Sequence, residues 1–177
     1  VDDRGISGAT ALMDAAQYGH VECVHMLLKH GAAVDLEEMA SDGGGNGWTA
    51  LHHAAYNKNL ECVKALEAAG AELNRDSIDD GTPLEMVIER LGKKKWDDES
   101  QFELDEPVDR QELLAVAEHL ATAMWGADKA AELKATWPAV DGEVDDADAM
   151  ERAQEEREAQ RQKRRDERDH ELKKAAE

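Results

Sequence analysis

The chain of 177 residues has few aromatic residues and no long apolar stretch. Aromatic residues make up 4% of the sequence, whereas all hydrophobic residues together make up 41%. This composition, with its many alanines, indicates helices that pack closely rather than a β-sandwich. The longest apolar run is about LLAVA, far short of the roughly 20 residues that a membrane-spanning helix needs. With only two cysteines and no signal peptide, we expect a soluble protein of the cytoplasm.

Basic residues are also scarce, because 21 lysines and arginines face 41 acids and leave a formal net charge of −20. Residues 151–177 contain nine bases and nine acids, so residues 1–150 carry the whole excess, with 12 bases against 32 acids. Such a surface repels nucleic acid phosphates and anionic membranes. We therefore predict protein partners with a basic surface, and neither a nucleic acid nor a membrane partner.

Two segments of the chain repeat one another at an offset of 39 residues. Residues 9–35 read ATALMDAAQYGHVECVHMLLKHGAAVD, and residues 48–74 read WTALHHAAYNKNLECVKALEAAGAELN. A third start, GTPLEMVIERLG, places Thr82 33 residues after Thr49. The apolar residues of each unit recur at helical spacing, which predicts a pair of helices. Neither unit can bury its apolar face alone, so the units are expected to stack.

The ends of these helices are marked in the sequence. Thr10 and Thr49 stand where a capping hydroxyl belongs, and Gly31 stands where a left-handed residue ends the second helix. Cys23 and Cys62 occupy equivalent positions, and we predict that both are small core residues without a disulfide. The apolar residues predicted to face the core are Leu12, Ala15, Ala16, Val21, Val24, Leu27 and Leu28, then Leu51, Ala54, Ala55, Leu60, Val63 and Leu66.

These units resemble the ankyrin repeat, whose period is about 33 residues and whose hallmark is T-P-L-H-x-A. The matching stretches are TALH at 49–52, TPLE at 82–85, GH at 19–20, and GA at 31–32 and 70–71. The chain departs from the pattern at Met13, in the histidine position, and at Lys58-Asn59, in place of Gly-His. The resemblance implies an all-α solenoid of about three helix-turn-helix repeats with β-hairpin fingers between them.

The start of the chain fits the same register. Val1-Asp2 ends eight residues before Thr10, as Leu73-Asn74 ends eight residues before Thr82. Val1-Asp2 is therefore interpreted as the tail of an earlier repeat, and the chain as a piece of a longer array.

The third unit is irregular. The polar stretch KKKWDDESQFELDEP (93–107) replaces the expected turn, and a helix is predicted from about Asp109 to Met124. We interpret this unit as a repeat with an insertion of about twenty residues between its helices. A short helix, KAAELKATW, follows and stops at Pro138. The array with its C-terminal cap thus fills residues 1–138.

The end of the chain has a different composition. Residues 139–150 form an acidic linker, and Met150 and Leu172 are the only large hydrophobic residues from there to the end. Residues 151–177 contain strong helix formers and opposite charges four residues apart, such as Arg152 and Glu156. This pattern is typical of a charged single helix, a coiled coil or a disordered segment. We predict a long charged helix held by a partner in a larger hetero-assembly.

The stretch SDGGGNGWTALHHAA at residues 41–55 admits three interpretations: a phosphate loop, a metal site or a lengthened finger. A phosphate loop needs a preceding strand and a lysine, but no lysine lies between Lys29 and Lys58. Removing six residues from 36–47 restores the period of 33, which favours a lengthened finger whose glycines serve its turns. No cofactor is predicted.

The histidines do not form a metal-binding pattern. His52 and His53 are adjacent, so on a helix they point about 100° apart. The resemblance gives His52 a structural hydrogen bond to the neighbouring loop, and it places His53 toward the variable inner face. No catalytic arrangement of residues is present, so the sequence predicts neither a metal site nor an enzyme.

Tryptophan is the more informative residue type. Trp48 stands just before a capping threonine, where packing on the finger and partner contact are equally good interpretations. Trp125 and Trp137 are predicted to pack the terminal helices. The resemblance implies partner contacts on the concave face, at Gln17, Tyr18, Asn46, Trp48, Tyr56, Asn57, Asp79, Glu89 and Arg90.

The predicted function is a non-enzymatic protein–protein interaction scaffold or adaptor, as a structural subunit of a larger assembly. Three alternatives remain at this point. The chain is a regulatory fragment of a larger enzyme or channel, a cytoskeletal or ciliary component, or a small-molecule or metal-dependent enzyme.

Overall fold

The computed structural model describes residues 1–5, 7–39, 46–78, 80–92 and 107–137, which belong to one compact unit spanning Val1–Pro138. These residues form seven helices, none of which is long and apolar enough to cross a membrane. The helices are α1 Ala11–Gln17, α2 Val21–Lys29, α3 Ala50–Tyr56, α4 Leu60–Ala68, α5 Pro83–Gly92, α6 Pro107–Trp125 and α7 Ala127–Lys134. The predicted insertion at 93–106, the predicted linker and the helix predicted for residues 151–177 lie outside the described residues, and the domain boundaries stay predictions.

The first helix of each repeat follows a threonine whose backbone N–H donates to the side chain three residues later. The pairs are Thr10 with Met13 Sδ (3.3 Å), Thr49 with His52 Nδ1 (3.1 Å) and Thr82 with Glu85 Oε2 (3.0 Å). This hydrogen bond satisfies the threonine N–H, one of the backbone donors that have no acceptor within the helix at its first turn. Thr10 and Thr49 both stand at the N-cap position, as predicted, and the Thr10 hydroxyl accepts the Met13 N–H at 3.4 Å.

The second helix of each repeat ends at a left-handed glycine, as predicted. Gly31 has φ 82° and Gly70 has φ 88°, a conformation that costs glycine little. The turn between the two helices needs the same geometry. Gly19 supplies it in repeat one with φ 71°, whereas Lys58 adopts it in repeat two with φ 64°.

The helices stack in two rows. The first helices α1, α3 and α5 pack side by side, and the second helices α2, α4 and α6 form the other row, with α7 packed on α6. The third pair, α5 and α6, also packs together, and the helix predicted from about Asp109 to Met124 lies within α6. The largest fully buried side chains include Met13, Leu51, Leu66, Leu91 and Leu120, so the core runs through all three pairs.

The helix pairs are joined by fingers, which we define as finger 1 (1–9), finger 2 (32–48) and finger 3 (71–81). The predicted β-hairpins are not seen in their described parts, which contain only an isolated antiparallel bridge between Arg4 and Thr10. In the described part of finger 2, the Glu38 N–H donates to the Trp48 carbonyl oxygen at 2.7 Å. Its glycine-rich tip, residues 40–45, lies outside the described residues.

Side chains tie each finger to the next. The Asp2 carboxylate accepts the Ala33 N–H at 3.0 Å, and the Asp35 carboxylate accepts the Glu72 N–H at 3.0 Å. These two carboxylates act alike in successive fingers, which explains why fingers with so few backbone hydrogen bonds keep a fixed geometry.

Charged residues connect all three fingers as well. Arg4 of finger 1 donates to the Glu37 carbonyl oxygen, and the Glu37 carboxylate pairs with the Arg75 guanidinium of finger 3 at 2.8 Å. Hydrogen bonding to Glu37 raises the pKa of Arg75, so the guanidinium remains charged.

Two burial predictions are wrong. Cys62 is buried as expected, but Cys23 is exposed, because no described helix covers that side of α2. Trp125 is 43% exposed at the end of α6, whereas Trp137 is buried as predicted. Trp137 therefore belongs to the hydrophobic core, whereas a large part of the Trp125 side chain faces solvent.

Candidate partner-binding site

Trp48 is held in place from two sides. Its indole Nε1 donates to the Asp80 carboxylate of finger 3 at 2.8 Å. Behind it, Gly47 has φ 66°, and a Cβ atom there would lie 3.1 Å from the Ile78 side chain. The glycine before Trp48 thus allows finger 2 and finger 3 to approach closely, and this approach fixes the direction of the indole.

The Trp48 ring packs against two residues of α3 that lie three positions apart. Its centroid is 5.1 Å from that of His53, edge-on, and 5.2 Å from that of Tyr56. Both distances fall in the range of favourable aromatic pairs. Arg90 of α5 completes this aromatic cluster, because its guanidinium carbon lies 4.6 Å from the Tyr56 ring centroid and its Nη1 donates to the Tyr56 carbonyl oxygen.

His53 forms the base of the aromatic cluster. It was predicted to lie toward the variable inner face, but only 7% of its surface is exposed, because the Trp48 ring packs on it. Its Nε2 lies 3.3 Å from the Glu38 carboxylate of finger 2. Burial lowers the pKa of His53, and the Glu38 carboxylate opposes that shift.

His52, on the other side of α3, has the structural role that the resemblance implied. Its Nδ1 accepts the Thr49 N–H, so Nε2 carries the proton and donates to the Gly81 carbonyl oxygen at 3.2 Å. Burial lowers the pKa of His52 to about 4. The neutral ring therefore links α3 to finger 3 and supports the cluster from behind.

The remaining predicted contact residues are distributed around the aromatic cluster. Tyr18 is 69% exposed at the end of α1, next to the Gln17 carbonyl that binds the following repeat. Asn46 is exposed, and its carbonyl accepts the Ile78 N–H at 2.8 Å. Asn57 donates to the His53 carbonyl at the end of its own helix. Glu89 is partly buried on α5, and Asp79 lies outside the described residues.

The structure thus joins three of the predicted residues, Trp48, Tyr56 and Arg90, in one place. Sequence reasoning missed Glu38 and Asp80, the two carboxylates that hold the cluster. Both belong to acidic runs in the fingers, so nothing in the sequence distinguished them from their neighbours. In the described part of the chain, no group of three or more His, Cys, Asp or Glu side chains could hold a metal ion.

The comparisons with known proteins agree with the repeat geometry. A family model described as "Ankyrin repeats (3 copies)" matches residues 1–86, from finger 1 into the first turn of α5. No curated protein matches the chain.

Proposed function

We propose that the chain, whose residues 1–86 match the family model of ankyrin repeats, is an ankyrin-repeat protein that acts as a non-enzymatic protein–protein interaction scaffold or adaptor. Ankyrin repeats generally mediate contacts between proteins. We infer further that the chain is a structural subunit of a larger hetero-assembly. It binds one partner on the concave ankyrin face and a second through residues 151–177, which lie outside the described residues.

The observation that carries this proposal is the aromatic cluster. Tryptophan, tyrosine and arginine are the residues that most often dominate the binding energy of protein interfaces. Here Trp48, Tyr56 and Arg90 are held together before any partner arrives, so binding costs little ordering of these side chains. Tyr56 keeps 40% of its surface exposed, which a partner can bury.

The charge around the cluster favours a basic partner. Glu38 and Asp80 lie directly beside the Trp48 and His53 rings, and residues 1–150 carry the entire formal charge of −20. Complementary charge speeds association and excludes acidic competitors. The rest of the contact surface that we propose consists of Gln17, Tyr18, Asn46, Asn57, Asp79 and Glu89.

The test compares the Tyr56→Ala variant with Trp125→Ala, which removes an equally exposed aromatic side chain from the end of α6. Proteins captured from the source cells on the full-length chain are identified by mass spectrometry, and each is purified for calorimetry. We expect Tyr56→Ala to weaken binding of the concave-face partner by at least about tenfold, as the loss of an interface anchor does. Trp125→Ala should leave the affinity unchanged.

Equal affinities for the two variants and the wild-type chain would remove the aromatic cluster from the binding surface. Circular dichroism and thermal unfolding of both variants check that they remain folded. A partner that binds both variants normally but fails to bind a chain lacking residues 151–177 would instead place the contact on the C-terminal segment.

A further inference from the structure

His53 is a buried histidine that lies between acidic residues of two other elements. Its Nε2 is 3.3 Å from the Glu38 carboxylate of finger 2, and Asp14 of α1 is near enough for its charge to act on the ring. Among the described residues, neither ring nitrogen of His53 finds a hydrogen-bond partner, although the residue is only 7% exposed. Buried polar groups in native proteins almost always have a partner. A proton added to this ring gains one, because it turns the contact with Glu38 into a charged pair.

The internal repeat shows that this imidazole is particular to repeat two. The residue 39 positions before His53 is Asp14, and the residue 33 positions after it is Met86. Because α1 packs on α3 and α3 packs on α5, the three equivalent positions form a row along the first helices. Imidazole is the side chain whose charge ordinarily changes between pH 5 and 8. The row therefore responds to mild acid at its central member.

Titratable and charged side chains face His53 from the elements that pack around it. Three are carboxylates, two lie on α3 itself and one is a guanidinium at the edge of the aromatic cluster: Glu38 of finger 2, Asp14 of α1, Asp80 of finger 3, His52 and Tyr56 of α3, and Arg90 of α5. This surplus of acid attracts a second cation, either a proton on His53 or a charged group of a partner. Glu38 is the carboxylate that both can reach, because it lies beside the ring and keeps 19% of its side chain exposed.

We propose that Glu38 is shared between His53 and a cationic side chain of the basic partner, so that the partner binds while His53 is neutral and is released when the ring takes up a proton. This inference deepens the proposed function and rests on it. With a neutral ring, the Glu38 carboxylate receives an arginine that lies against the aromatic cluster, as Arg90 lies against the Tyr56 ring. With a protonated ring, Glu38 pairs with His53, and the imidazolium repels the arginine.

Binding and protonation at one carboxylate oppose each other by the same factor. A cation bound at Glu38 makes the ring harder to protonate, and a protonated ring binds the cation more weakly. Burial lowers the pKa of His53 from its ordinary value of 6.5, so the ring is neutral at pH 7.5 and becomes charged only in acidic solution. The site thus holds a basic partner at neutral pH and releases it in acid.

The direct test follows the Cε1–H resonance of His53 by NMR as the pH is lowered, in the full chain alone and with saturating hexa-arginine. We expect the peptide to lower the midpoint of the His53 titration by about half a unit to one unit, which corresponds to about three- to tenfold weaker binding to the protonated form. His25, exposed on α2, is the internal reference and should move less. An unchanged His53 midpoint, equal changes at the two histidines, or no binding of the peptide overturns the proposal.

Calorimetry with hexa-arginine at pH 7.5 and pH 5 gives a second readout. The ratio of the two dissociation constants should be at least about threefold larger in the wild-type chain and in His25→Met than in His53→Met, which copies Met86. Glu38→Gln should weaken binding and remove most of its pH dependence. Glu132→Gln makes the same change of charge at an exposed position of α7 and should keep both. Circular dichroism at both pH values checks that the variants are folded, and the NMR titration needs no variant.

The results separate this proton linkage from the proposed function. If Tyr56→Ala weakens binding of the captured partner but His53→Met keeps the wild-type ratio for hexa-arginine, the site binds a partner without proton linkage, and only this inference is wrong. If Tyr56→Ala and Glu38→Gln both leave the affinity for the captured partner unchanged, the aromatic cluster is not the binding surface, and the proposed site fails together with the linkage.

Discussion

At the scale of single residues, the same position in the three repeats is filled by three different side chains that have the same role. The residue three positions after each capping threonine is Met13, His52 or Glu85, and each accepts the threonine N–H. Among the bonds described for these three, His52 is the one that also reaches the next finger, through Gly81. The two contacts together require a neutral ring that is protonated at Nε2, because a protonated Nδ1 could not accept the Thr49 N–H, and this makes the repeat sensitive to acid.

We predict that His52 makes the free energy of unfolding depend on pH. Its pKa falls from 6.5 in the unfolded chain to about 4 in the fold, so between these values the unfolded state binds more protons. Stability is therefore lost as pH falls from 6.5 to 4, by about 3 kcal/mol from this residue. His52→Met, which copies Met13, should remove this part of the pH dependence and lose about 1 kcal/mol at pH 7 with the Gly81 hydrogen bond. Urea unfolding at several pH values measures both.

His25→Met is the matched control, because it replaces a histidine that is exposed on α2 rather than buried against finger 3. His53 also has a lowered pKa, so His52→Met should flatten the dependence without abolishing it. An unchanged slope between pH 6.5 and 4 in His52→Met would show that His52 takes up its proton at the same pH in the folded and the unfolded chain.

Residue roles could be predicted from the sequence where they depend on local spacing. The capping of α1 by Thr10 is of this kind, since its partner Met13 lies three residues away, whereas the bond from His52 to the neighbouring loop was expected from the family resemblance. The burial of His53 and the exposure of Cys23 depend instead on what lies opposite in space. His53 is covered by Trp48 from the finger, and no described helix lies over Cys23 in the way that α2 packs on α4, which carries Cys62.

At the scale of secondary-structure elements, repeat two is attached to repeat one by the turn that departs from the ankyrin pattern. Lys58 adopts the left-handed conformation of Gly19, and Asn59 uses its side chain to bind the end of α1. A Cβ atom on Gly19 would lie 2.7 Å from Asn59 Oδ1. The glycine of one turn and the asparagine of the next are thus fitted to each other.

We predict that Asn59→Ala weakens the contact between the two repeats. The substitution leaves the carbonyl groups of Ala16 and Gln17 without their side-chain donor, which should cost about 1 to 3 kcal/mol of unfolding free energy. Asn57→Ala is the control, because its hydrogen bond stays within α3 and its loss should cost about 1 kcal/mol or less. Urea unfolding compares the two variants, and equal costs would mean that the turn does not couple the repeats.

The helices could be predicted because their apolar residues recur every three or four positions, but the finger geometry could not. The fingers are fixed by contacts between residues more than 30 positions apart, such as Asp35 with Glu72 and Arg75 with Glu37. A local pattern carries no information about such contacts. The expected β-hairpins are replaced, in the described residues, by this stack of single side-chain bonds.

At the scale of the whole molecule, the formal net charge of −20 opposes folding and favours association with a basic partner. Repulsion among like charges destabilises the compact state, whereas attraction to an opposite surface speeds encounter. Salt screens both effects, because the Debye length falls from about 30 Å at 0.01 M to about 8 Å at 0.15 M. The two consequences of added salt therefore have opposite signs.

We predict that raising sodium chloride from 10 to 150 mM increases the melting temperature of the chain and lowers the association rate with its basic partner. Scanning fluorimetry and stopped-flow binding measure the two quantities. Substituting the exposed residues Glu22, Glu112 and Glu132 with glutamine changes the formal charge from −20 to −17. This triple variant should melt at a higher temperature than the wild-type chain at 10 mM salt, with a smaller increase on adding salt, because it has less repulsion to screen. A melting temperature that falls with salt in both chains would show that specific ion pairs, such as Arg75 with Glu37, outweigh the general repulsion.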